Sequence, residues 1–147
     1  MTTEYTPPDL TLFGEEHVER YRATDGVVGG EWNGVPILLL TTIGRRSGLP
    51  RTSALIFGRH GDDYVLVASV GGAPRHPQWY LNLGATPDAE VQVMADRLSV
   101  SARTALPDEK AHLWALMRSI WPNYDEYQRR TTREIPVVVL TPGARHA

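Results

Sequence analysis

Thr41-Thr42-Ile43-Gly44-Arg45-Arg46-Ser47-Gly48-Leu49-Pro50-Arg51 is the stretch on which the fold is decided. It separates two runs, 35–42 and 51–58, that are rich in Val, Ile, Leu and Thr and too short for stable helices. Glycine and proline punctuation between such runs predicts two antiparallel strands joined by a basic turn. Working outward, His60-Gly61-Asp62-Asp63 reads as a hairpin turn into a third strand at 64–69. Two more strands, 89–94 and 98–105, flank a turn at Ala95-Asp96-Arg97, and a last buried strand covers 135–140.

Helical signals fall between these runs. Asp9 is placed to cap a helix over 10–21 with an apolar face of Leu10, Phe13, Val18 and Tyr21, preceded by a mobile arm carrying Pro7-Pro8. Pro77 opens a short helix through Trp79, Tyr80 and Leu83, which Gly84 and Pro87 end. The clearest helix starts at Pro107-Asp108-Glu109, repeats Leu113, Leu116, Met117 and Ile120 at helical spacing, and stops at Pro122. About six short strands with two or three helices, without βαβ alternation, predict a mainly β, α+β fold: an antiparallel barrel with helices packed outside. One domain is expected over 1–147, with 1–25 as arm and helix and 26–141 as barrel and flanking helices.

Composition removes several function classes. A net charge of -2 gives no general attraction to nucleic acid. The absence of cysteine excludes disulfides, thiolate nucleophiles and iron–sulfur or zinc–thiolate sites. His17, His60, His76, His112 and His146 show no metal-ligand spacing, so no metal is expected. The longest apolar run, 35–40, is far too short to span a bilayer, and residues 1–11 lack the basic start of a signal peptide. The expected setting is the cytoplasm, with peripheral membrane contact at most.

Three segments can carry chemistry. The turn 44–51 packs three arginines, a serine and two glycines into eight residues. That composition suits an oxyanion, through inward backbone N–H groups, the Ser47 hydroxyl and guanidinium forks; a solvated basic hairpin turn is the alternative. The small-residue stretch Val67-Ala68-Ser69-Val70-Gly71-Gly72-Ala73 leads to His76-Pro77-Gln78-Trp79-Tyr80-Leu81-Asn82. Bare backbone there can lie against a planar ligand, or form a flexible loop with Trp79 as a core anchor. Trp121, Tyr124 and Tyr127 recur every third residue and either roof an apolar pocket or staple the helix end to the barrel.

Taken in order, Leu-Leu-Thr-Thr-x-Gly-Arg-Arg-Ser-Gly-x-Pro-Arg, Val-Ala-Ser-x-Gly-Gly-Ala, Pro-x-Trp-Tyr-x-Asn-Leu and the Tyr124/Tyr127 segment before Ile135-Pro136-Val137 resemble the deazaflavin-dependent nitroreductase family over 26–141. The resemblance implies a split β-barrel that binds coenzyme F420 and passes hydride to quinones, enones or nitroaromatic acceptors. It implies that Arg45, Arg46 and Ser47 meet the cofactor's phosphate and oligoglutamate tail, with Arg51 and Thr52, Ser53, Ala54, Leu55 and Ile56 running alongside. Val67, Ala68, Ser69 and Val70 would line the deazaflavin ring, and Gln78, Trp79, Tyr80, Leu81 and Asn82 would close its far side. Ser69, Tyr124 and Tyr127 would orient the acceptor, with Tyr124 also touching the cofactor. Val70 and Trp121 stand where well-known members carry lysine and tyrosine, which makes the pocket less polar. FMN in the same barrel, or a non-catalytic carrier of a cofactor or lipophilic ligand, are the alternatives. The expected partner is a small hydrophobic acceptor, and the expected state a monomer or homodimer.

Overall fold

The computed structural model describes residues 5–143; residues 1–4, where the expected arm begins, and 144–147, which include His146, lie outside the described residues. Among the described residues the order is α1 (Gly14–Thr24), β1 (Glu31–Trp32), β2 (Val35–Ile43), β3 (Pro50–Ile56), β4 (Gly58–His60), β5 (Asp63–Val67), α2 (Gln78–Ala85), β6 (Asp88–Val93), β7 (Asp96–Thr104), α3 (Pro107–Ile120), α4 (Asn123–Arg129) and β8 (Val137–Pro142). No helix among them is long and apolar enough to cross a membrane.

All strand pairs are antiparallel, in the order β1-β2-β6-β7-β8-β5-β4, with β3 also paired to β2. Phe57 alone separates β3 from β4, so one bent run first pairs β2 (Ile56 opposite Ile37) and then β5 (Gly58 opposite Val65). The sheet thereby curls on itself. Counting 50–60 as one strand leaves the barrel near the expected six, with β1 a two-residue addition and α4 the expected aromatic segment.

Strand alternation builds two cores. Leu38, Leu40, Tyr64, Leu66, Val91, Val100, Val138 and Leu140 fill the barrel, joined by Trp79 and Leu83 of α2. Val65, Val67, Val137 and Val139 point the other way and are covered by Leu113, Met117, Trp121, Tyr124 and Tyr127. β5 and β8 are therefore apolar on both faces, which explains their unbroken apolar runs. α3 starts as its sequence predicts, with Glu109 accepting the Leu106 amide and pairing with Arg103.

The N-terminal expectation is corrected. Asp9 does not cap α1: its carboxylate accepts the Thr11 amide (2.9 Å) and hydroxyl (2.6 Å) in a local turn, and the helix begins only at Gly14. Leu10 and Phe13 are exposed and lie outside the helix, which buries the expected Tyr21 together with His17. The described part of the arm is tied down, since Thr6 and Asn123 exchange two hydrogen bonds (3.2 and 2.7 Å) and Asp9 and Asn33 two more (2.8 and 3.0 Å). The turn between β6 and β7 is also one residue tighter than expected. Val93 pairs with Asp96, leaving Met94 and Ala95 as the loop with Met94 at φ 55°.

That turn is held by Tyr21. Its hydroxyl accepts the Met94 amide (2.7 Å) and lies 3.0 and 3.2 Å from the Ile37 and Gln92 carbonyls, with the ring fully buried. Tyr21→Phe leaves that amide without its partner at constant shape. It is expected to cost about 1–3 kcal/mol of stability, read as a lower urea midpoint at unchanged m-value.

Candidate active site

A cleft of about 850 Å³ opens between α1, β3, the loop after β5 and the corner where α3 meets α4. A recess of about 280 Å³ lies at the basic turn. Ser53 and Trp79 line both, so the two adjoin in one elongated region, basic at one end and aromatic at the other. Its volume suits a cofactor-sized ligand.

At the basic end, Thr42, Arg45, Arg46, Ser47, Arg51, Gln78 and Asn82 share the recess. Arg45 is preorganised: its amide and Nη1 both donate to Asn82 Oδ1 (3.2 and 2.9 Å), and Nη2 donates to Gln78 Oε1 (2.9 Å). Asn82 is buried and donates in turn to Thr42 Oγ1 (3.1 Å). Gln78 and Asn82 therefore aim an arginine. Among the described residues, Arg45, Arg46 and Arg51 form no ion pair with a carboxylate. Within the turn the amides of Gly44, Gly48 and Leu49 are bonded to Leu49 O, Gly44 O and Ser47 Oγ, so of the expected nest only the amides of Arg46 and Ser47 carry no bond among the described residues.

The middle of the groove is floored by residues 52–56 of β3 and by Val67, Ser69, Val70 and Gly71. Among the described residues β3 pairs along one edge only, so alternate backbone groups of the strand remain for a ligand to read. Thr52 Oγ1 is occupied, accepting from Arg22 Nη2 (2.7 Å) and lying 2.8 Å from Thr41 Oγ1. The loop after β5 is strained. Val70, Gly71 and Gly72 have φ of 45°, 60° and 85°, and a left-handed β-branched residue costs on the order of 1–3 kcal/mol. Gly72 has no room for a side chain, since a Cβ would stand 2.6 Å from the Tyr127 carbonyl.

At the aromatic end, Phe13, Trp32, Trp121, Tyr124 and Tyr127 wall the cleft, with the Trp32 and Trp121 rings 5.5 Å apart. Tyr127's hydroxyl accepts from Trp121 Nε1 (3.4 Å). Among the described residues the hydroxyls of Tyr124 and Ser69 have no hydrogen-bond partner, although both residues are over nine-tenths buried. No sealed side-chain polar atom among the described residues lacks a partner, so these two hydroxyls open on the cleft. Burial, with Tyr127 nearby, pushes the Tyr124 phenol upward. It stays protonated and keeps a proton to donate.

Three residues expected at the site lie elsewhere. Ala68 points into the barrel interior because alternation turns it opposite to Val67. Tyr80 and Leu81 line a separate recess with Ala102 and Thr104, where Tyr80's hydroxyl is 2.9 Å from Thr104 Oγ1. Sequence reading missed the α1 wall, including His17, Val18 and Arg22, as well as Trp32. It also missed Arg133, which grips the loop carbonyls of Ala68, Ser69 and Ala73.

A split barrel holding a long groove with a basic end and an apolar, hydroxyl-bearing end defines a protein built for an elongated, anionic, partly planar ligand. The family model described as F420H(2)-dependent quinone reductase matches residues 13–142. An F420H(2)-dependent quinone reductase of Mycobacterium tuberculosis is 46% identical over 129 residues, 85% of this chain and 87% of that protein. Two solved structures are similar: an F420-H2 dependent reductase (40% identity, TM-score 0.67, 71% of this chain and 93% of that one) and a domain-swapped dimer (38% identity, TM-score 0.69, 85% and 94%). The chain belongs to the F420H(2)-dependent quinone reductase family, a family of oxidoreductases.

His76 provides a pH test of the loop anchor. Its Nδ1 lies 3.0 Å from Arg133 Nη1 and the Tyr80 ring is 4.9 Å away; burial first, then the Arg133 charge, hold its pKa below the ordinary value of 6.5. On acidification the unfolded chain therefore takes up this proton before the folded one does. The stabilising contribution is complete above about pH 6.5 and is lost as pH falls toward the lowered folded value. His76→Gln is expected to flatten the stability-versus-pH curve in that window, measured by urea unfolding at stepped pH.

Proposed function

We propose that this chain uses reduced coenzyme F420 to reduce quinone-like acceptors, with the cofactor tail at the arginine end of the groove and the acceptor at the aromatic end. The observation that carries the reading is that the two cavities adjoin at Ser53 and Trp79. The residues fit the group: three arginines without carboxylate partners suit a phosphate and carboxylate tail, and the strip of β3 with Ser69, Val70 and Gly71 suits a flat ring. When bound, the reduced deazaflavin supplies the hydride.

The chain's own groups do the rest. Arg45, fixed by Gln78 and Asn82, with Arg46, Ser47 and Arg51, holds the anionic tail. The aromatic wall excludes water and lays a flat acceptor against the ring bed. Tyr124 and Ser69 donate to the acceptor oxygen that gains negative charge, and the protonated Tyr124 phenol holds a proton beside it. Tyr127 orients this corner through Trp121. Likeness to a domain-swapped dimer favours the homodimer over the monomer.

Assay of reduced F420 oxidation by a soluble quinone analogue, beside the same assay with reduced FMN, tests the reading. Turnover with F420 and little with FMN is expected; turnover with FMN alone would contradict it. Replacing Arg45 and Arg46 together by Ala is expected to weaken F420 binding at least about tenfold at low salt, since a charge-assisted bond contributes about 1.5–3 kcal/mol before screening. The loss should shrink as salt is raised, in a fluorescence titration. Tyr124→Phe should lower the rate by about 10²-fold, the effect of losing one donor to a developing oxyanion, while the thermal midpoint and F420 affinity hold. A normal rate would remove that hydroxyl from the reaction.

A further inference from the structure

Arg133 lies between α4 and β8, outside every wall of the groove, yet most of its hydrogen bonds go to one loop. Nη2 donates to the Ser69 carbonyl (2.7 Å), Nε to Ala73 (2.8 Å), and Nη1 to Ala68 (3.2 Å) and His76 Nδ1 (3.0 Å). One rigid fork thus ties both ends of the segment holding Val70, Gly71 and Gly72. Arg133 forms no ion pair with a carboxylate among the described residues, so this charge is spent on carbonyl dipoles. The loop itself is poorly disposed to hold its shape. Val70 is left-handed, half-exposed and β-branched, and the loop's own bonds are two turn bonds, Gly72 N to Ser69 O (2.9 Å) and Ala73 N to Val70 O (3.0 Å). Strain of this kind persists only where the surroundings over-determine it. Arg130 adds one bond to the Gly71 carbonyl (3.2 Å) from the same direction.

We infer that Arg133 is a positioning residue that clamps this loop in its strained form and so fixes where the Ser69 hydroxyl stands in the groove. Its rate consequence rests on the reductase reading above; its effect on the loop does not. Without the clamp Val70 relaxes toward negative φ, the Ser69 backbone turns with it, and the acceptor loses an aligned donor. Misplacement of this size costs on the order of tenfold to a hundredfold in rate.

Two measurements on the full chain separate the cases. Native-state hydrogen exchange without ligand reads the loop: in Arg133→Met the amides of Gly72 and Ala73 should exchange much faster while those of β5 and β8 keep their protection. Steady-state reduction of a soluble quinone at saturating F420 reads the site: kcat should fall by about tenfold or more. Adding Val70→Gly, which makes positive φ free of steric cost, should restore part of both, and Arg133→Lys should fall between wild type and Arg133→Met. Unchanged exchange at Gly72 and Ala73 overturns the inference, as does a kcat that drops only in step with the melting temperature. If wild type turns over no quinone, the reductase reading fails and the exchange result still decides the clamp.

Discussion

The site depends on one run of chain being shared between two partners. Residues 50–60 pair first with β2 and, after Phe57, with β5, and the Phe57 amide bonds to the Pro36 carbonyl at the bend (3.3 Å). Closing the barrel this way leaves β3 with one paired edge, and α1 packs beside it without covering it. The groove is the space between them. The bend is tight because α3 lies against it: a Cβ on Gly58 would stand 2.7 Å from Met117 Sδ. Barrel closure, helix docking and the groove are thus one geometric solution.

Along the groove the physical character changes in a way that divides labour. The basic end is open, and its arginines work as charges in water, where salt screens them. Neutral hydrogen bonds from Gln78 and Asn82 fix Arg45 there without cancelling its charge. The aromatic end is lined largely by apolar side chains, where a hydroxyl is worth more once a ligand displaces water. Ser69 and Tyr124 keep hydroxyls that open on this end of the cleft and are bonded to nothing else among the described residues. The strained loop belongs to this end too, held by arginines from beyond the groove.

The strands and the clearest helix were legible because their signals are local: alternating apolar runs, a glycine–proline turn, and proline and acidic residues opening α3. The basic turn was legible as composition but not as mechanism, since only the structure shows its amides spent internally and Arg45 aimed from α2. That the side chains of Ala68, Tyr80 and Leu81 turn away from the groove was not legible, because adjacency in sequence hides which face a residue takes. The start of α1 misled because Asp9 found a nearer partner in Thr11. Trp32 and Arg133 gave no sequence signal of a role, as their meaning lies wholly in contacts with distant loops.

The central claim is that one ligand occupies both halves of the groove, ring at one end and anionic tail at the other. Titrating the protein with F420 and with the deazaflavin ring fragment that lacks the phosphate and glutamate tail, each at low and high salt, tests it most directly. The account predicts that F420 binds far more tightly, that salt erodes this advantage, and that the fragment binds weakly with little salt dependence. Equal affinities for the two, unaffected by salt, would contradict it.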